Sequence, residues 1–472
     1  MGWRSALDYF EYFILVYFAL IALFSAALGL LGLRSILLYA RESSSTSVYG
    51  FLARASYKPV SILVPAHNEE KGIEASVRSL LDLAYPQFEV IVTADGPTDR
   101  TVEVLIEAFH LVEVPREARV VVETAEVKRI LRSTRHPNLW LVDKENGGKA
   151  DAINAAFNLA RHPVVCSIDA DSILDGAALA RATRLFAEDE TVVAVGGTIR
   201  ALNGAVLEAG KVRSIRAPKT WVERIQVLEY ARAFFTARAA WSRVGALTII
   251  SGAFGIFRRS AIEEVGGWWT GTVADDMEVV FRLHRFMRDE RRPYRIVATP
   301  DPICWTEVPS SLRALRRQRN GWHRGLLEVL WRHRCMLFNP RYGRVGMVAV
   351  PYLWFFEAGA AFVEGGGYLY VAVAAIFGFL NVEFALMFFA LAVLYGILLS
   401  QLAMGIETML LSRYERASDR LVLFVAAFAE FAGIRQVLLW ERCVAIFQLR
   451  KRQGKFWTET RTGIEAGRGP EI

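Results

Sequence analysis

The chain has 472 residues, is 53% hydrophobic and carries a formal net charge of +7. A mean hydropathy of +0.26 is too high for an ordinary soluble protein. The excess sits at the two ends, around a middle of mixed charge and globular composition. The basic balance does not point to nucleic acid. Arginines cluster beside apolar segments (Arg34, Arg41 and Arg54, then Arg413, Arg416 and Arg420, then Arg450 to Lys455), the bias of cytoplasmic loops in membrane proteins. Cys166, Cys304, Cys335 and Cys443 are scattered with no C-x-x-C pair, which argues for reduced thiols and against a disulfide framework or a zinc site.

Residues 12–33 form an uncharged run long enough to cross about 30 Å of hydrocarbon as a helix. The run exceeds the roughly 7–15-residue core of a cleaved signal peptide, so a retained anchor is expected within 1–40. The Ser-rich stretch 41–58 reads as a linker into a soluble domain at 59–335. There VSILVPA (60–66) reads as a buried strand, and EEKGIEASVRSLLDL (69–83) as an amphipathic helix turning Leu80, Leu81 and Leu83 inward. FEVIVTADG (88–96) is a strand ending at Asp95-Gly96, and TDRTVEVLIEAF a helix with a Thr/Asp start signal. ARVVVE (118–123) is expected as a third strand, GGKADAINAAFNLA (147–160) as an Ala-rich helix, and VVCSID as the next strand. Strands alternating with helices predict a Rossmann-like, mostly parallel α/β sheet. Ligands gather at the carboxyl ends of such strands, where Asn68, Asp95 and Asp169 fall.

In VVCSIDADSIL (164–174) an apolar run ends in two carboxylates one residue apart, Asp169 and Asp171. On an extended strand residues i and i+2 point the same way, so both would converge on one spot. Paired hard oxygens there suit Mg²⁺ or Mn²⁺, which complete their shell with water and phosphate oxygens. Many surface loops also carry a D-x-D, so the neighbouring motifs decide its meaning.

Those motifs come in order: VPAHNEE, a strand ending in ADGPTD, NGGKADAINAA, DAD, SGAFGIFRR, VADDMEVVFRL and QRNGW. Together they resemble family 2 glycosyltransferases of the GT-A fold, and most of all the membrane-embedded processive branch: cellulose, chitin, hyaluronan and poly-N-acetylglucosamine synthases. The resemblance implies a GT-A catalytic domain joined to a helical transmembrane region. It implies transfer, with inversion, from a nucleotide sugar (UDP is expected) to the hydroxyl of a growing polysaccharide. By that resemblance Asp95 would hydrogen-bond the nucleotide base, Glu69 and Lys149 would hold the ribose and nucleotide, and Asp169 and Asp171 would carry Mg²⁺ or Mn²⁺ beside the diphosphate. Asp276 falls where the family's TED motif places its base, with Asp275 in place of the Glu. Three neighbouring acids (Asp275, Asp276, Glu278) are equally what a charged helix start contains. Ser251, Gly252, Ala253 and Gly255 are small enough either to admit a sugar close to the backbone or to pack tightly in a core.

The family's Q-x-x-R-W reads Gln318-Arg319-Asn320-Gly321-Trp322, so its arginine is Gly321. Gln318 and Trp322 are still expected at the acceptor, with Trp322 stacking on a sugar ring. The diphosphate loses a cation that Arg319, Arg324 or a residue elsewhere would have to replace.

From 345 to 448 transmembrane and interfacial helices are expected: a first span at 345–380, kinked at Pro351, and a second at 384–411. Glu357 and Glu364, seven apart, share a helical face and meet either a wet path or partners in the bundle. The segment 421–448 carries Glu430, Arg435, Glu441 and Arg442 and precedes a basic tail. It reads as two short helices along the inner face, leaving the tail at 449–472 cytosolic. In that tail Trp457 and Arg461 resemble the gating segment of hyaluronan and chitin synthases and are expected to close over the donor. The expected localisation is the plasma (inner) membrane, multi-pass, with the catalytic domain cytosolic. Partners are the nucleotide sugar, a polysaccharide or lipid acceptor and the bilayer; the sequence names no export or regulatory subunit. Single addition to a polyprenyl phosphate or lipid, and an inactive scaffold subunit, are the competing readings. Product length and donor hydrolysis separate them.

Overall fold

The structure is a computed structural model and describes residues 3–43, 57–115, 119–208, 211–411 and 414–448. Trp457 and Arg461 lie outside the described residues. The chain divides into two compact units that alternate along it. One contains 38–216 and 245–308, the other 1–37, 217–244 and 309–451. The stretch expected as one domain at 59–335 therefore contributes 217–244 and 309–335 to the unit that holds the apolar helices.

The first unit is built on β1 (Val60–Ala66), β2 (Phe88–Asp95), β3 (Leu111–Glu113), β4 (Val127–Ser133), β5 (Leu139–Lys144), β6 (Val164–Ser167), β7 (Ile173–Leu174), β8 (Val192–Ala201), β11 (Gly255–Arg258) and β12 (Arg295–Thr306). They form one sheet in the order β3-β4-β5-β2-β1-β6-β11-β8-β12-β7. A separate antiparallel hairpin comprises β9 (Ala205–Glu208) and β10 (Lys211–Ile215). The centre, β5-β2-β1-β6, is parallel, as strand–helix alternation predicts. Every residue of β1 and β8 is buried, the mark of strands covered on both faces. The helix Lys149–Leu159 packs on β1 and β2, and its alanines Ala152, Ala155 and Ala156 let it lie close.

Two features bring distant motifs to one edge. In register Ala66 pairs with Ala94, so β1 and β2 end together, while Ser167 pairs with Leu63, so β6 stops short of them and the chain leaves the sheet towards the same edge. β11 runs antiparallel to β6, with Gly255 opposite Ser167, so the loop before β11 arrives where β6 stops.

Several expectations need correcting. Residues 119–126 are not a strand. Asn158 Oδ1 accepts the N–H groups of Val121 and Val122 at 2.9 and 3.1 Å, and its Nδ2 donates to Val122 O at 2.8 Å. The helix thus takes the hydrogen bonds a ladder would have used, and the strand forms at Val127–Ser133. The helix expected from 69 begins at Ile73, after a turn in which the Gly72 N–H donates to Glu69 O at 3.1 Å, while Thr101 Oγ1 and Asp99 Oδ2 accept the N–H groups of Glu69 and Glu70 at 2.8 and 3.1 Å. Leu80 and Leu83 face inward as expected, whereas Leu81 is only partly buried.

Among the described residues three helices are long and apolar enough to cross a membrane: Ala6–Arg41, Val345–Ile376 and Val382–Met409. Ile14, Phe18, Phe384, Phe388, Ala392, Val393, Ile397 and Phe431 form one core cluster of the second unit. Around Pro351 the helix switches to wider π turns at Val345–Ala349 and Leu353–Ala358, which absorb the missing N–H. Glu364 is 5% exposed and held by Arg435 at 2.8 and 3.0 Å, so its partner is in the bundle. Glu430 is likewise held by Arg232 at 2.6 and 2.7 Å. Helices Ala417–Ala429 and Arg435–Phe447 are joined by Glu430–Ile434, where Gly433 has φ +121°.

Candidate active site

β1 and β2 end in loops that lock together. Asn68, at φ 57°, accepts the Thr98 N–H at 2.7 Å, and Glu70 accepts the Arg100 N–H at 3.2 Å. Glu69 sits in this interlock, partly buried. His67 Nδ1 and Asn146 Nδ2 both meet the Asp95 carbonyl oxygen, each at 2.9 Å.

Asp95 is fully buried, and protein groups occupy its carboxylate. Oδ1 accepts from Lys144 Nζ at 2.7 Å and the Gly147 N–H at 2.8 Å, and Oδ2 accepts the Gly148 N–H at 2.7 Å. These three donors leave the carboxylate room for a further one. Lys144 is also fully buried and reaches Asp151 at 2.5 Å. Neither Lys144 nor Asp151 was expected from the sequence. The only signal was a lysine ending the apolar strand LWLV, which places it beside Asp95 in register.

The next residue after Gly148 is Lys149, whose Nζ lies 2.5 Å from Asp169 Oδ1. Burial works against its charge, but Asp169, Asp275 and Asp276 outweigh that and hold the ammonium's pKa above the ordinary lysine range. Asp276 opens the helix Asp275–Asp289, where free N–H groups favour a carboxylate. Its Oδ1 accepts the Met277 N–H at 2.8 Å and its Oδ2 the Gly252 N–H at 3.0 Å. A Cβ on Gly252 would stand 2.9 Å from Lys149 Nζ and 3.7 Å from Asp276 Oδ2. Lys149, Asp169, Gly252 and Asp276, from four separate motifs, thus share one spot. Gly255 has a different need, since a Cβ there would meet Ile250 and Phe257 in the core at 2.8 and 2.9 Å.

The three acids at this helix start differ in kind. Asp275 is buried, and burial first, then Asp276 and Asp169, push its pKa up to about 6 against the pull of Lys149. Glu278 is fully buried and tied to Arg282 at 2.6 Å.

Asp169 and Asp171 do not sit on a strand. β6 ends at Ser167, and Asp169–Ser172 form a turn closed by the Ser172 N–H donating to Asp169 O at 3.0 Å. Strand alternation is therefore not what aims them: Asp169 faces Lys149, while Asp171 Oδ1 lies 3.5 Å from Thr306 Oγ1. Among the described residues no three His, Cys, Asp or Glu side chains form a metal cage. Asp169 and Asp171, two residues apart in this turn, supply carboxylate oxygens, the donor type that an ion of the Mg²⁺ class takes one or two at a time beside phosphate and water oxygens.

Gln318 and Trp322 lie on the helix Leu312–Arg332, in the other unit. Trp322 is 50% exposed, and Gln318 Oε1 is buried with no hydrogen-bond partner among the described residues. Arg319 is 7% exposed, ion-paired with Glu229 and stacked on Trp322 at 4.1 Å. Its Nη2 is thus engaged with Glu229. Arg324 is also buried.

Residues 58–325 match the family described as glycosyltransferase like family 2. The chain is 29% identical over 274 residues to the poly-beta-1,6-N-acetyl-D-glucosamine synthase of Staphylococcus epidermidis, and 30% identical to that of Staphylococcus aureus strain COL. Each match covers 58% of this chain and 56% of the relative, so it spans little more than half of either protein. Among solved structures, a mannosyltransferase from Pyrobaculum calidifontis, in complex with GDP-Man and Mn²⁺, shares the fold. Its TM-score is 0.51 at 21% identity, over 87% of this chain and 99% of that one. The chain belongs to glycosyltransferase family 2.

Proposed function

We propose that the protein is a membrane-bound inverting glycosyltransferase that moves a sugar from a nucleotide sugar to the hydroxyl of a growing polysaccharide. The observation that carries this is the convergence of Lys149, Asp169, Gly252 and Asp276. A donor diphosphate and an acceptor hydroxyl need a cation, a metal-holding carboxylate, an uncrowded backbone and a base within one site, and these four supply them.

In this reading Lys149 binds the diphosphate, and Asp169 and Asp171 hold Mg²⁺ or Mn²⁺. That ion would neutralise charge developing on the leaving diphosphate. Asp276 Oδ2 takes the proton from the acceptor hydroxyl as its oxygen bonds to the anomeric carbon and the nucleoside diphosphate departs. One base and direct displacement give inversion. The Met277 and Gly252 N–H groups aim the Asp276 carboxylate. Glu69 lies in the loop expected to meet the ribose, and Trp322 offers half its surface to an acceptor sugar. Trp457 and Arg461 are proposed to close over the donor, and deleting 455–472 should lower turnover without changing membrane insertion.

The relatives' names make UDP-N-acetylglucosamine the first donor to test. The placement is proposed as the inner membrane, with the catalytic domain and tail cytosolic, where nucleotide sugars are made. Purified protein with Mn²⁺ and a panel of UDP- and GDP-sugars should release nucleoside diphosphate from one of them and give a product that lengthens with time. Gly321 favours one second reading, single addition to a lipid acceptor, which a product of fixed size would establish. No release from any donor would leave the scaffold reading.

A further inference from the structure

We infer that the elbow at 331–344, which leads from the helix Leu312–Arg332 into the apolar helix Val345–Ile376, is a binding surface for anionic phospholipid headgroups. The inference rests on the membrane placement proposed above and gives it a contact of defined chemistry.

The stretch WRHRCMLFNPRYGR holds Arg332, Arg334, Arg341 and Arg344 within fourteen residues, with no Asp or Glu among them. All four arginines are exposed. Two large rings share the surface with them, Trp331 at 65% exposure and Phe338 at 55%. Water alone gives such rings nothing, whereas a boundary between water and hydrocarbon suits rings and guanidinium groups together. The Arg334 guanidinium lies 5.3 Å from the centre of the Trp331 ring, and its Nη1 donates to Trp331 O at 3.1 Å. A guanidinium fork is also the donor that phosphate oxygens accept in pairs.

The elbow is built to keep this face outward. Met336, Tyr342 and Val345 are buried beneath it. Phe338 holds a left-handed φ of 52°, and its N–H donates to Gly346 O at 3.1 Å. A Cβ on Gly346 would stand 2.4 Å from Asn339 O, so glycine lets the elbow fold tightly onto the helix that follows. Asn339 closes the turn on both sides: Nδ2 donates to Cys335 O and Oδ1 accepts the Arg341 N–H, each at 3.0 Å. A strained residue pinned in this way presents its ring as a fixed feature.

Phe338 meets the Phe355 ring at 5.9 Å. Phe355 belongs to a run in which every seventh residue is apolar and exposed: Val348, Phe355, Phe362, Leu369 and Ile376. A continuous apolar surface of this kind is the face a span turns to hydrocarbon. Phe338 extends that face, and the arginines stand where it ends, at the level of the headgroups. Four positive charges with no acid among them favour headgroups of net negative charge. A zwitterionic headgroup brings its own cation beside the same phosphate.

The test uses full-length protein in phosphatidylcholine vesicles that contain either brominated phosphatidylglycerol or brominated phosphatidylcholine. The quenching lost on Trp331→Phe isolates Trp331 from the other tryptophans. Trp331 should be quenched more by the anionic lipid, with a local preference of about fivefold or more, the effect of one arginine at an anionic surface. Arg332→Gln, Arg334→Gln and Arg341→Gln combined should abolish the preference. Arg344 is kept, because its Nη1 also donates to Val244 O at 3.1 Å. Phe338→Gly retains the left-handed turn and removes the ring, so quenching by both lipids should fall alike while the preference stays. Equal quenching of Trp331 by the two lipids in the wild type would overturn the inference, and so would a preference unchanged in the triple variant. No quenching of Trp331 by either lipid would overturn it too, and would make the elbow a protein contact. Wild type that does not float with the vesicles would sink the membrane placement instead.

Discussion

Lys149 Nζ sits 2.5 Å from Asp169 Oδ1, so the cation expected at the diphosphate and a carboxylate expected at the metal neutralise each other before any ligand arrives. Donor binding must then exchange one partner for another. Lys149→Gln should weaken nucleoside diphosphate binding about 10–100-fold, the worth of one charge-assisted hydrogen bond. It should leave Mn²⁺ binding in the absence of nucleotide equal or tighter, because Asp169 has lost its internal competitor. Electron paramagnetic resonance of free Mn²⁺, beside calorimetry with UDP and GDP, reads the two effects separately.

Asp276→Asn removes the base and keeps the shape. The amide oxygen can still accept the Gly252 N–H, now met at 3.0 Å, so the loop should hold and donor affinity should survive. Turnover should fall roughly 10²–10⁴-fold. Single-turnover kinetics with saturating donor is the measurement; loss of donor binding with unchanged chemistry per bound donor would remove Asp276 from its role.

The helix Asp275–Asp289 carries two buried groups whose pH effects oppose each other. Asp275 titrates near 6 in the folded chain against 3.8 when unfolded, so the folded state binds more protons in between and stability falls as pH rises through that window. His284 is buried neutral, with Nε2–H donating to Leu247 O at 2.7 Å and Nδ1 accepting from Tyr294 Oη–H at 2.7 Å. Burial lowers its pKa to about 4, so the unfolded state binds the extra proton and stability is lost as pH falls from 6.5 towards 4. Relative to wild type, Asp275→Asn should make stability rise more steeply with pH between 4 and 6.5, and His284→Gln should tilt it the other way. Thermal melts across that range check both signs.

Glu229→Gln should destabilise by about 3–5 kcal/mol, because Arg319 would be left buried without its counter-charge. Adding Arg319→Met should restore part of that loss. Arg319 also backs the Trp322 ring, so on the proposed acceptor role of Trp322 both variants should raise the acceptor KM while donor affinity stays put. A double-mutant cycle on Tm, with acceptor titrations, measures the coupling.

Composition and local pattern determined a great deal of this protein. Uncharged runs located the apolar helices, since only length and side-chain chemistry decide whether a segment suits hydrocarbon. Strand–helix alternation gave the parallel centre of the sheet, and motif order gave the family. What pattern cannot carry is any choice made by a partner far away in sequence. ARVVVE has the composition of a strand, yet Asn158 takes its hydrogen bonds. D-x-D reads as a strand end, yet the Ser172 N–H closes a turn there. Asp95 reads as an acid at a strand end, and only the register shows that Lys144, 49 residues later, ends the neighbouring strand beside it. Arg319 reads as a spare cation until Glu229 and Trp322 close on it. In each case one backbone or side-chain group had two feasible partners, and only the packed fold, by excluding water, decided which it kept.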